Sequence, residues 1–589
     1  MKNQKTKLIL LSMIFCGIFG LAQGSQASEY YVSPSGNNAS SGSISAPWLT
    51  IQKAANTMVA GDTVYIKAGT YTERVTPQHS GSSGSYITYQ NYPGHVPVIQ
   101  TPNSQAEDCG FCMKDNITLS YIKIVGLKVI NANYANIDVR ASVAHPKSNI
   151  IIDGLTIQGS FKGIYFRMGV TDSKIINNTV FENQFGLAVE YKNNNILINN
   201  NHISFGKIQR ADIETFFANN IVVAAYGLPN SPNTNITISN NEVDHAKVQG
   251  IVVWEGDNIW VTGNNVHHNG ATGIQIEGNN TEVSYDVVVE NNTCEYNGAT
   301  NDWETGIWID DTDRALVQNN IVRFNKNGMY ITGTTNLIVR NNLIYGNTKY
   351  YGIQLYQSPQ RGPNNNVIIV HNTLYKNSGD AAVSMGIWNE TLKSTNLVFK
   401  NNIVADSIGN FDLATRTDSI QLNYNKYYNS TRALSFMWNG TSGYNFSGYK
   451  TASGQDSNSI ISNPLFIDQV NGDFHLQSGS PCINSGDYLT RTTASGSGTS
   501  LVVSDARHFN NGYGIVAGDL IIVGSNSPVR VTNVDYDTNT ITVNSSVSWN
   551  NGDGVSYSHS SSKPDIGAYE YVGATDITPP TSPTGLSVQ

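Results

Sequence analysis

The sequence has few charged residues. Asp, Glu, Lys and Arg make up 13% of its 589 residues, about half of the usual ~25%. It also has no basic excess, since its formal net charge is −9, and this argues against a nucleic-acid partner, which requires basic patches. Cysteine is scarce, with five residues, and no Cys/His spacing predicts a zinc site.

The first 27 residues have the pattern of a secretory signal peptide. Three lysines lie within the first seven residues, Leu8 to Ala22 is an apolar run too short to favour a membrane span, and Ser25-Gln26-Ala27 offers a cleavage site. The alternative is a retained membrane anchor. The pattern predicts a secreted protein, extracellular or periplasmic and cell-surface associated, with no membrane span after the signal is removed. In that setting Cys109 and Cys112 can form a local disulfide.

Along the rest of the chain a short phrase recurs, in which an Asn-Asn-like pair is followed closely by an apolar residue. Its apolar residues are Val129, Ile157, Val180, Ile203, Val243, Val266, Cys294, Val322, Ile344, Leu374 and Val404. They are 22 to 30 residues apart, except for one step of 40 that predicts a loop within 205–235. A recurring period of this length predicts a solenoid.

Three residues after many of these apolar positions the sequence has another Asn. These residues are Asn183, Asn269, Asn297, Asn325, Asn347 and Asn377. Asn side chains stacked on successive coils bond to each other and to nearby backbone groups in a tight bend. We therefore expect an asparagine ladder along one corner of the solenoid.

The sequence divides into segments of different character. We predict a signal peptide at 1–27, an N-terminal cap and first coils at 28–84, and a parallel β-helix at 85–410. The remaining segments are C-terminal coils or a cap at 411–486, a small β-rich insertion at 487–563, a closing segment at 564–573, and a Pro-rich linker to a further module at 574–589.

These motifs resemble the pectate-lyase-like superfamily of secreted right-handed parallel β-helix proteins. The resemblance rests on the Asn-Asn repeats, the opening Tyr30-Tyr-Val-Ser-Pro-Ser-Gly36, and the closing Asp565-Ile-Gly-Ala-Tyr-Glu570. It implies an all-β, right-handed, single-stranded parallel β-helix of about 11 or more coils. The superfamily includes polysaccharide lyases, glycoside hydrolases, uronan epimerases and non-catalytic surface proteins, so the fold leaves the activity open.

A second phrase, Gly-apolar-any-apolar-any, precedes the Asn-Asn pairs. Because side chains alternate along a strand, its "any" positions point outward and form two columns across the coils. The first column is Tyr165, Ala188, Val252, Gln275, Trp308, Tyr330, Gln354 and Trp388, and the second is Arg167, Glu190, Trp254, Glu277, Asp310, Thr332, Tyr356 and Glu390. We expect this outer face to be exposed, and exposed aromatic rings beside carboxylates suit a sugar ligand.

The carboxylates on this face are the candidate catalytic residues: Glu277, Asp310, Asp311 and Glu255. Glu277 and Asp310 fall on adjacent coils, about 4.8 Å apart along the stack, and paired carboxylates of this kind suit a glycosidase. Alternatively, Asp310, Asp311 and Asp313 gather a Ca²⁺ ion, which prefers oxygen ligands. The candidate substrate-binding residues are Trp254, Trp308, Tyr330, Tyr356, Trp388, His267, Arg323 and Arg167. His267 and Arg323 fit equally well a second wall of the groove or a salt-bridge ladder.

Together these residues predict a secreted carbohydrate-active enzyme, a monomer whose partner is a polysaccharide. Our first hypothesis is a glycoside hydrolase that requires no cofactor. The alternatives are a Ca²⁺-dependent lyase of a polyuronate such as pectate, and a non-catalytic glycan-binding or cell-surface protein.

Overall fold

The computed structural model describes residues 27–206, 218–226, 228, 230–278, 283–300, 302–358, 361–379, 381–385, 393–407, 410–412 (main chain only) and 419–571. Three parts of the sequence analysis lie outside these ranges: residues 1–26 of the predicted signal peptide, the two residues Trp388 and Glu390, and the predicted linker at 574–589. Within them no helix is long and apolar enough to cross a membrane.

The chain winds into a right-handed parallel β-helix, as the sequence predicts. A full coil contributes one strand to each of three sheets. They are named sheet 1, sheet 2 and sheet 3 in their order within a coil, and the first strand of the chain belongs to sheet 2. Sheets 2 and 3 have 15 strands each and sheet 1 has 14. Inward-facing Val, Ile and Leu side chains from all three sheets form one continuous core along the stack.

The strands of sheet 1 are Cys109–Met113, Ala135–Arg140, Lys162–Arg167, Phe185–Glu190, Ile221–Ala224, Ile251–Trp254, Ile274–Glu277, Thr305–Asp310, Asn327–Thr332, Tyr351–Tyr356, Ala381–Ser384, Asn410–Asp412, Phe436–Trp438 and Thr441–Tyr444. The last of these pairs antiparallel with its neighbour, and the others are parallel.

The strands of sheet 2 are Glu29–Val32, Thr63–Ile66, Ile87–Asn91, Leu119–Val125, Lys147–Asp153, Val170–Ile176, Asn194–Asn199, Asn233–Ser239, Gly256–Thr262, Ser284–Glu290, Thr312–Gln318, Thr335–Arg340, Asn365–Val370, Leu397–Lys400 and Ile420–Asn423. The strands of sheet 3 are Gly69–Thr72, Pro97–Gln100, Lys128–Ile130, Thr156–Gln158, Thr179–Phe181, His202–Ser204, Glu242–Asp244, Asn265–His267, Thr293–Glu295, Ile321–Arg323, Leu343–Tyr345, Thr373–Tyr375, Ile403–Ala405, Lys426–Tyr428 and Ile460–Ile461.

The Asn-Asn pair forms the corner between sheets 2 and 3. Its first residue has a left-handed backbone, with φ of 56° at Asn319; Asn and Gly tolerate this conformation best, and Gly263 holds the same place with φ of 65°. Its second residue is buried: Asn320 Nδ2 donates to Asn342 Oδ1 at 3.0 Å and to the Val289 carbonyl at 2.9 Å. The ladder runs through Asn178, Asn201, Asn241, Asn264, Asn292, Asn320, Asn342, Asn372, Asn402 and Asn425.

The predicted ladder lies at a different corner, between sheets 3 and 1. Side-chain hydrogen bonds join Asn269, Asn297, Asn325, Asn347 and Asn377 in order. Asn183, which we expected to belong to it, instead accepts hydrogen bonds from the backbone and hydroxyl of Ser160. Two asparagine ladders therefore satisfy the buried polar groups at two of the three corners.

The stack is longer than the zone of clear repeats. Sheet 2 begins at Glu29–Val32 and sheet 3 ends at Ile460–Ile461, whereas the repeats suggest 85–410. A short helix, Ile51–Ala55, buries its apolar side against the first coils, and a second helix, Phe446–Ser453, packs against the last coils. Inside the zone, the repeats miss the strand Ile221–Ala224, because Asn220 stands where other coils have Gly.

Near the C-terminus a separate antiparallel sheet of six strands packs on sheet 2. Its strands are Thr490–Arg491, Gly496–Val502, Leu520–Val523, Val529–Asp535, Thr540–Trp549 and Gly554–Tyr557, with a 3₁₀ turn at Gly512–Gly514. It covers outward-facing apolar residues on five strands of sheet 2: Val288, Leu316, Ile338, Ile368 and Val398. A two-stranded ribbon, Phe466–Asp468 and Asp473–Leu476, lies against sheet 3.

Candidate functional site

Successive coils of sheet 1 stack in register, so its outward positions form two columns. The first is Tyr165, Ala188, Val222, Val252, Gln275, Trp308, Tyr330, Gln354 and Ser384. The second is Arg167, Glu190, Ala224, Trp254, Glu277, Asp310, Thr332 and Tyr356. The prediction that Trp388 follows Gln354 is wrong, because the strand of that coil is Ala381–Ser384 and Ser384 pairs with Gln354.

The face is also less exposed than we expected. Tyr330 is 6% exposed and Arg167 is 7% exposed, while Trp254, Trp308 and Tyr356 are half-buried. Turns that leave sheet 3 and side chains of adjacent coils pack over the columns, so the polar groups there are partly removed from water. Partial removal from water disfavours the ionised form of a carboxyl.

Glu277 and Asp310 end two adjacent strands of sheet 1. Glu277 Oε2 accepts a hydrogen bond from the indole of Trp254 at 2.5 Å and from the amide of Gln275 at 2.8 Å. Asp310 Oδ1 accepts a hydrogen bond from the hydroxyl of Thr332 on the following coil. Neighbours on the same sheet thus orient both carboxyls, and both remain half-buried.

Glu255 and Asp311 occupy the corner between sheets 1 and 2. Both adopt left-handed backbone conformations, with φ of 60° and 44°, and both are buried. The backbone N–H of Glu255 donates to the carbonyl of Glu277 at 2.9 Å. Asp311 Oδ2 accepts a hydrogen bond from the Ser358 hydroxyl at 3.0 Å, whereas its Oδ1 is buried and receives no hydrogen bond from the part of the chain that the structure describes.

Burial raises the pKa values of three carboxyls in this cluster, and neighbouring acids raise those of Asp310 and Glu277 further. Burial raises the pKa of Asp310 to about 7, and the charges of Asp311 and Glu277 add to this effect against the hydrogen bond from Thr332. Burial also raises the pKa of Glu277, with contributions from Asp311 and Glu255. Burial raises the pKa of Asp311, opposed by its bond from Ser358 and by a nearby arginine. Desolvated acids whose pKa approaches neutrality are typical of catalytic sites.

Asp313 does not join these acids. It lies in the sheet 2 strand Thr312–Gln318 and accepts a hydrogen bond from Asn336 Nδ2 at 2.8 Å. The predicted calcium ligands Asp310, Asp311 and Asp313 are therefore divided between two sheets, and only the first two are part of the cluster.

Arg167 is engaged within the protein. Its guanidinium donates to both oxygens of Asp138, at 3.1 and 2.9 Å, and lies over the rings of Tyr134 and Tyr165. On the same strand, the buried Lys162 ammonium pairs with Glu190 of the next coil at 2.6 Å. These contacts favour a structural role for Arg167 over the substrate contact that the sequence suggests.

His267 and Arg323 lie on the outer face of sheet 3, not on sheet 1. Arg323 Nε donates to Glu295 at 2.5 Å and its Nη1 donates to the Tyr345 hydroxyl at 2.9 Å. His267 Nε2 is 2.5 Å from Glu242 Oε1. Each of the two thus contacts an acid on a neighbouring coil of sheet 3, on a different face from the carboxylate cluster of sheet 1.

The sequence columns missed an aromatic pair beside the site. Trp303 and Tyr350 lie in turns that lead from sheet 3 into sheet 1, and their rings stack with centroids 4.7 Å apart. Trp303 is 57% exposed, and Tyr350 packs against the cluster that contains Tyr330 and Tyr351, with Trp308 beside them. Because these rings are in turns of variable length, the strand phrase gave no signal for them.

Comparison with known proteins finds two matching family models. The "Pel9A-like, right handed beta helix region" model matches residues 30–202, and the "Right handed beta helix region" model matches residues 226–404 and 302–450. The matches thus cover most of the stack.

Individual relatives are more distant. The uncharacterized protein YwoF of Bacillus subtilis (strain 168) is 28% identical over 80% of this chain and 96% of its own length. Pectate lyase PEL9 of Emericella nidulans (strain FGSC A4) is 26% identical over 26% of this chain and 38% of its own length. The solved structure of XylC with xylose is 13% identical, with a TM-score of 0.41, and the alignment covers 90% of this chain and 99% of that chain.

Proposed function

Because the chain belongs to the pectate-lyase-like superfamily of right-handed parallel β-helix proteins, we propose that it cleaves glycosidic bonds of a polysaccharide at the carboxylate cluster of sheet 1. The cluster consists of Glu255, Glu277, Asp310 and Asp311. The observation that carries the proposal is the half-buried carboxyl of Asp310, whose pKa is raised to about 7 beside two further acids.

In this proposal Asp310 is the general acid. A carboxyl with a pKa near 7 is protonated in about half of the molecules at neutral pH and can donate that proton to the glycosidic oxygen as the bond breaks. Glu277, on the adjacent coil, supplies the carboxylate that stabilises the positive charge developing on the sugar or activates a water. Its hydrogen bonds from Trp254 and Gln275 fix its position for that role.

The surrounding rings suit a sugar chain. Trp254 and Trp308 flank the acids, and the exposed Trp303 continues the apolar surface away from them. The C–H faces of sugars pack on such rings while their hydroxyls bond to carboxylates and amides. Since the cluster is acidic, it favours a neutral or mildly acidic polysaccharide over a polyuronate.

A second candidate is a Ca²⁺-dependent polyuronate lyase. It is favoured by Asp311 Oδ1, a buried acceptor to which none of the described residues donates a hydrogen bond, because a cation beside this oxygen would satisfy it. Asp310, Asp311 and Glu277 are the oxygen donors available to the ion, although their ligand atoms do not all lie within 4.8 Å of one another in the described residues, and a bound Ca²⁺ would neutralise a uronate carboxylate. Arg361, whose charge lowers the pKa of Asp311, is a candidate for binding that carboxylate.

The test incubates the purified protein with a panel of neutral and acidic polysaccharides and follows both new reducing ends and the ultraviolet absorbance of unsaturated sugars. Reducing ends without absorbance, unaffected by EDTA, support the hydrolase. Absorbance that EDTA abolishes and Ca²⁺ restores supports the lyase. Glycan binding without product from any substrate would overturn both.

The matched variants are Asp310→Asn and Asp313→Asn. The first removes the proposed acid and should lower kcat by about 10²–10⁴-fold. The second removes a carboxylate only three residues away that faces outward on sheet 2 and should leave kcat unchanged. Equal activity of the two variants would remove Asp310 from the mechanism.

A further inference from the structure

The outer face of sheet 3 carries a second polar cluster, formed by three adjacent strands. The central strand supplies Glu242 and Asp244, two residues apart and so on the same face. The strand before it supplies His202, in register with Glu242, and the strand after it supplies His267, in register with Asp244. The imidazoles thus approach the carboxylates diagonally from both sides.

The donor atoms of this cluster converge. His267 Nε2 is 2.5 Å from Glu242 Oε1, and His202 Nε2 is 2.8 Å from Asp244 Oδ2. Nδ1 of His245, the residue that follows this strand, is 2.5 Å from Asp244 Oδ1. One ligand atom each from Glu242, Asp244 and His267 lie within 4.8 Å of one another, and among the residues that the structure describes no other three His, Cys, Asp or Glu do so.

We propose that this cluster binds one divalent transition-metal ion, with His267, Glu242 and Asp244 as ligands and His202 as the fourth. Imidazole nitrogen together with carboxylate oxygen is a donor set that suits zinc and its neighbours. Ca²⁺ prefers all-oxygen sites and does not fit here. Around a zinc ion with bonds of 2.0–2.1 Å, ligand atoms stand about 3.3 Å apart. Side-chain rotations therefore have to widen the 2.5 Å contact between His267 and Glu242 and bring the more distant ligand atoms, now within 4.8 Å, closer together.

Surrounding contacts hold the ligands in place. Nδ1 of His267 meets Nδ1 of His268 at 2.9 Å, which leaves Nε2 for the metal; such a hydrogen bond to the other ring nitrogen orients metal-binding histidines. Asn265 Nδ2 donates to both oxygens of Glu242, at 3.1 and 3.0 Å.

A column of stacked rings borders the cluster. The rings of Phe205, His245, His268, Tyr296 and Phe324 stack in sequence, with centroids 4.9 to 5.4 Å apart. Because the column presents ring edges to solvent and ring faces to its own members, it is poorly suited to binding sugars. It instead fixes the corner from which His245 and His268 contact the cluster.

The site is independent of the carboxylate cluster of sheet 1. The two clusters lie on the outer faces of different sheets and share no residue. Loss of the metal therefore has no direct effect on Asp310, and the failure of either proposal leaves the other intact.

The experiment uses the purified chain, treated with EDTA and dialysed. Zinc binding is measured by isothermal titration calorimetry and elemental analysis, and Co²⁺ loading is followed by its visible absorption. We expect one zinc per chain, Co²⁺ bands typical of nitrogen and oxygen ligands, and no heat with Ca²⁺. A wild-type chain that retains no zinc after dialysis and gives no Co²⁺ bands would overturn the proposal.

The variants are His267→Gln and His202→Gln, and the matched control is His475→Gln. His475 also contacts a carboxylate, Asp473, at 2.7 Å, but stacks on Tyr569 outside the cluster. Loss of a partner that merely orients a ligand already costs 10–100-fold in metal affinity, so zinc affinity should fall at least about tenfold in the first two and stay unchanged in the control. Metal-free thermal denaturation verifies that each variant is folded, and wild-type zinc affinity in both folded cluster variants would contradict the assignment.

Discussion

Asp310 shows how a single residue acquires unusual chemistry from its place in a repeat. Its strand position is ordinary, since other coils have Glu190, Ala224 or Thr332 there. Its pKa is raised because its carboxyl is partly buried and because the corner and the preceding coil each add a carboxyl. A site of this kind destabilises the protein that carries it.

The pH dependence of stability follows from that acidity. The folded-state pKa of Asp310, about 7, lies above its ordinary value of 3.8, so the folded state holds a proton that the unfolded chain releases, and stability falls as pH rises from about 4 to 7. At 1.36 kcal/mol per pKa unit the limit is about 4 kcal/mol, and partial solvent exposure reduces it to about 1–2 kcal/mol. Asp310→Asn should therefore be more stable than wild type at pH 8.

Thermal denaturation at pH 4 and pH 8 checks this expectation. At pH 4 the two proteins should have nearly equal Tm, and at pH 8 the variant should have the higher Tm. Asp313→Asn again serves as the control and should show no such divergence. A variant that is less stable than wild type at pH 8 would contradict the proposed ionisation.

At the residue scale the sequence led to part of the site. The alternation of the Gly phrase placed Glu277, Asp310 and Trp308 on one face, because strand periodicity is local. It could not show that Arg167 is held by Asp138, since Asp138 lies one coil away with no fixed spacing. The sequence made His267 a candidate residue of the groove because it did not show that the strand with His267 belongs to sheet 3.

At the scale of single elements, the two asparagines at the corner between sheets 2 and 3 have different structural roles. The first provides a left-handed backbone and is exposed at Asn319; the second, Asn320, is fully buried and links three coils through its amide. Local conformation thus selects the first residue, and hydrogen bonding between coils selects the second.

Substitutions at these two positions should change stability by very different amounts. Asn320→Ala leaves the Val289 carbonyl and the N–H of Asn292 without their partners and should destabilise the protein by about 2–4 kcal/mol. Asn319→Gly retains the left-handed backbone and should change stability by no more than about 0.5 kcal/mol. Thermal denaturation of the two variants compares them directly, and equal effects would show that the ladder is not the source of the stability.

The sequence predicted the repeating coils better than the irregular ones. The Asn-Asn phrase occurs where the chain makes a tight corner between sheets 2 and 3, so it identified the coils that have this corner. The strand Ile221–Ala224 lacks the usual preceding Gly and escaped notice, and the first and last coils lack the phrase. An unused signal was present in sheet 2: runs such as Val287-Val-Val289 and Leu337-Ile-Val339 are apolar on both faces, which indicates a covered sheet.

At the scale of the whole molecule, the C-terminal antiparallel sheet is joined to the stack by a buried ion pair as well as by apolar contacts. Arg340 of sheet 2 donates to Asp519 at 2.6 Å and lies over the ring of Tyr557. Both charged groups are shielded from water, so neither is stable there without the other.

Removal of one charged partner tests how much the packing of the antiparallel sheet on sheet 2 depends on the ion pair between Arg340 and Asp519. Asp519→Asn leaves the Arg340 charge buried and unneutralised and should cost about 3–5 kcal/mol, seen as a lower Tm and faster proteolysis of the 490–557 sheet. Asp302→Asn, which removes an exposed acid that pairs with Lys326 and Lys349, should have no measurable effect on either. Similar proteolysis of the two variants would mean that apolar contacts alone secure the docking.

The antiparallel sheet spans five strands of sheet 2, whereas the described residues before 250 do not contact it on that face. Under a stretching force applied at the two ends, the uncovered coils can peel away one at a time, because each is bonded only to its neighbours. The antiparallel sheet packs across the five covered coils, so these coils must unfold together. The molecule thus has a compliant half and a stiff half, and the carboxylate cluster of sheet 1 lies where the two meet.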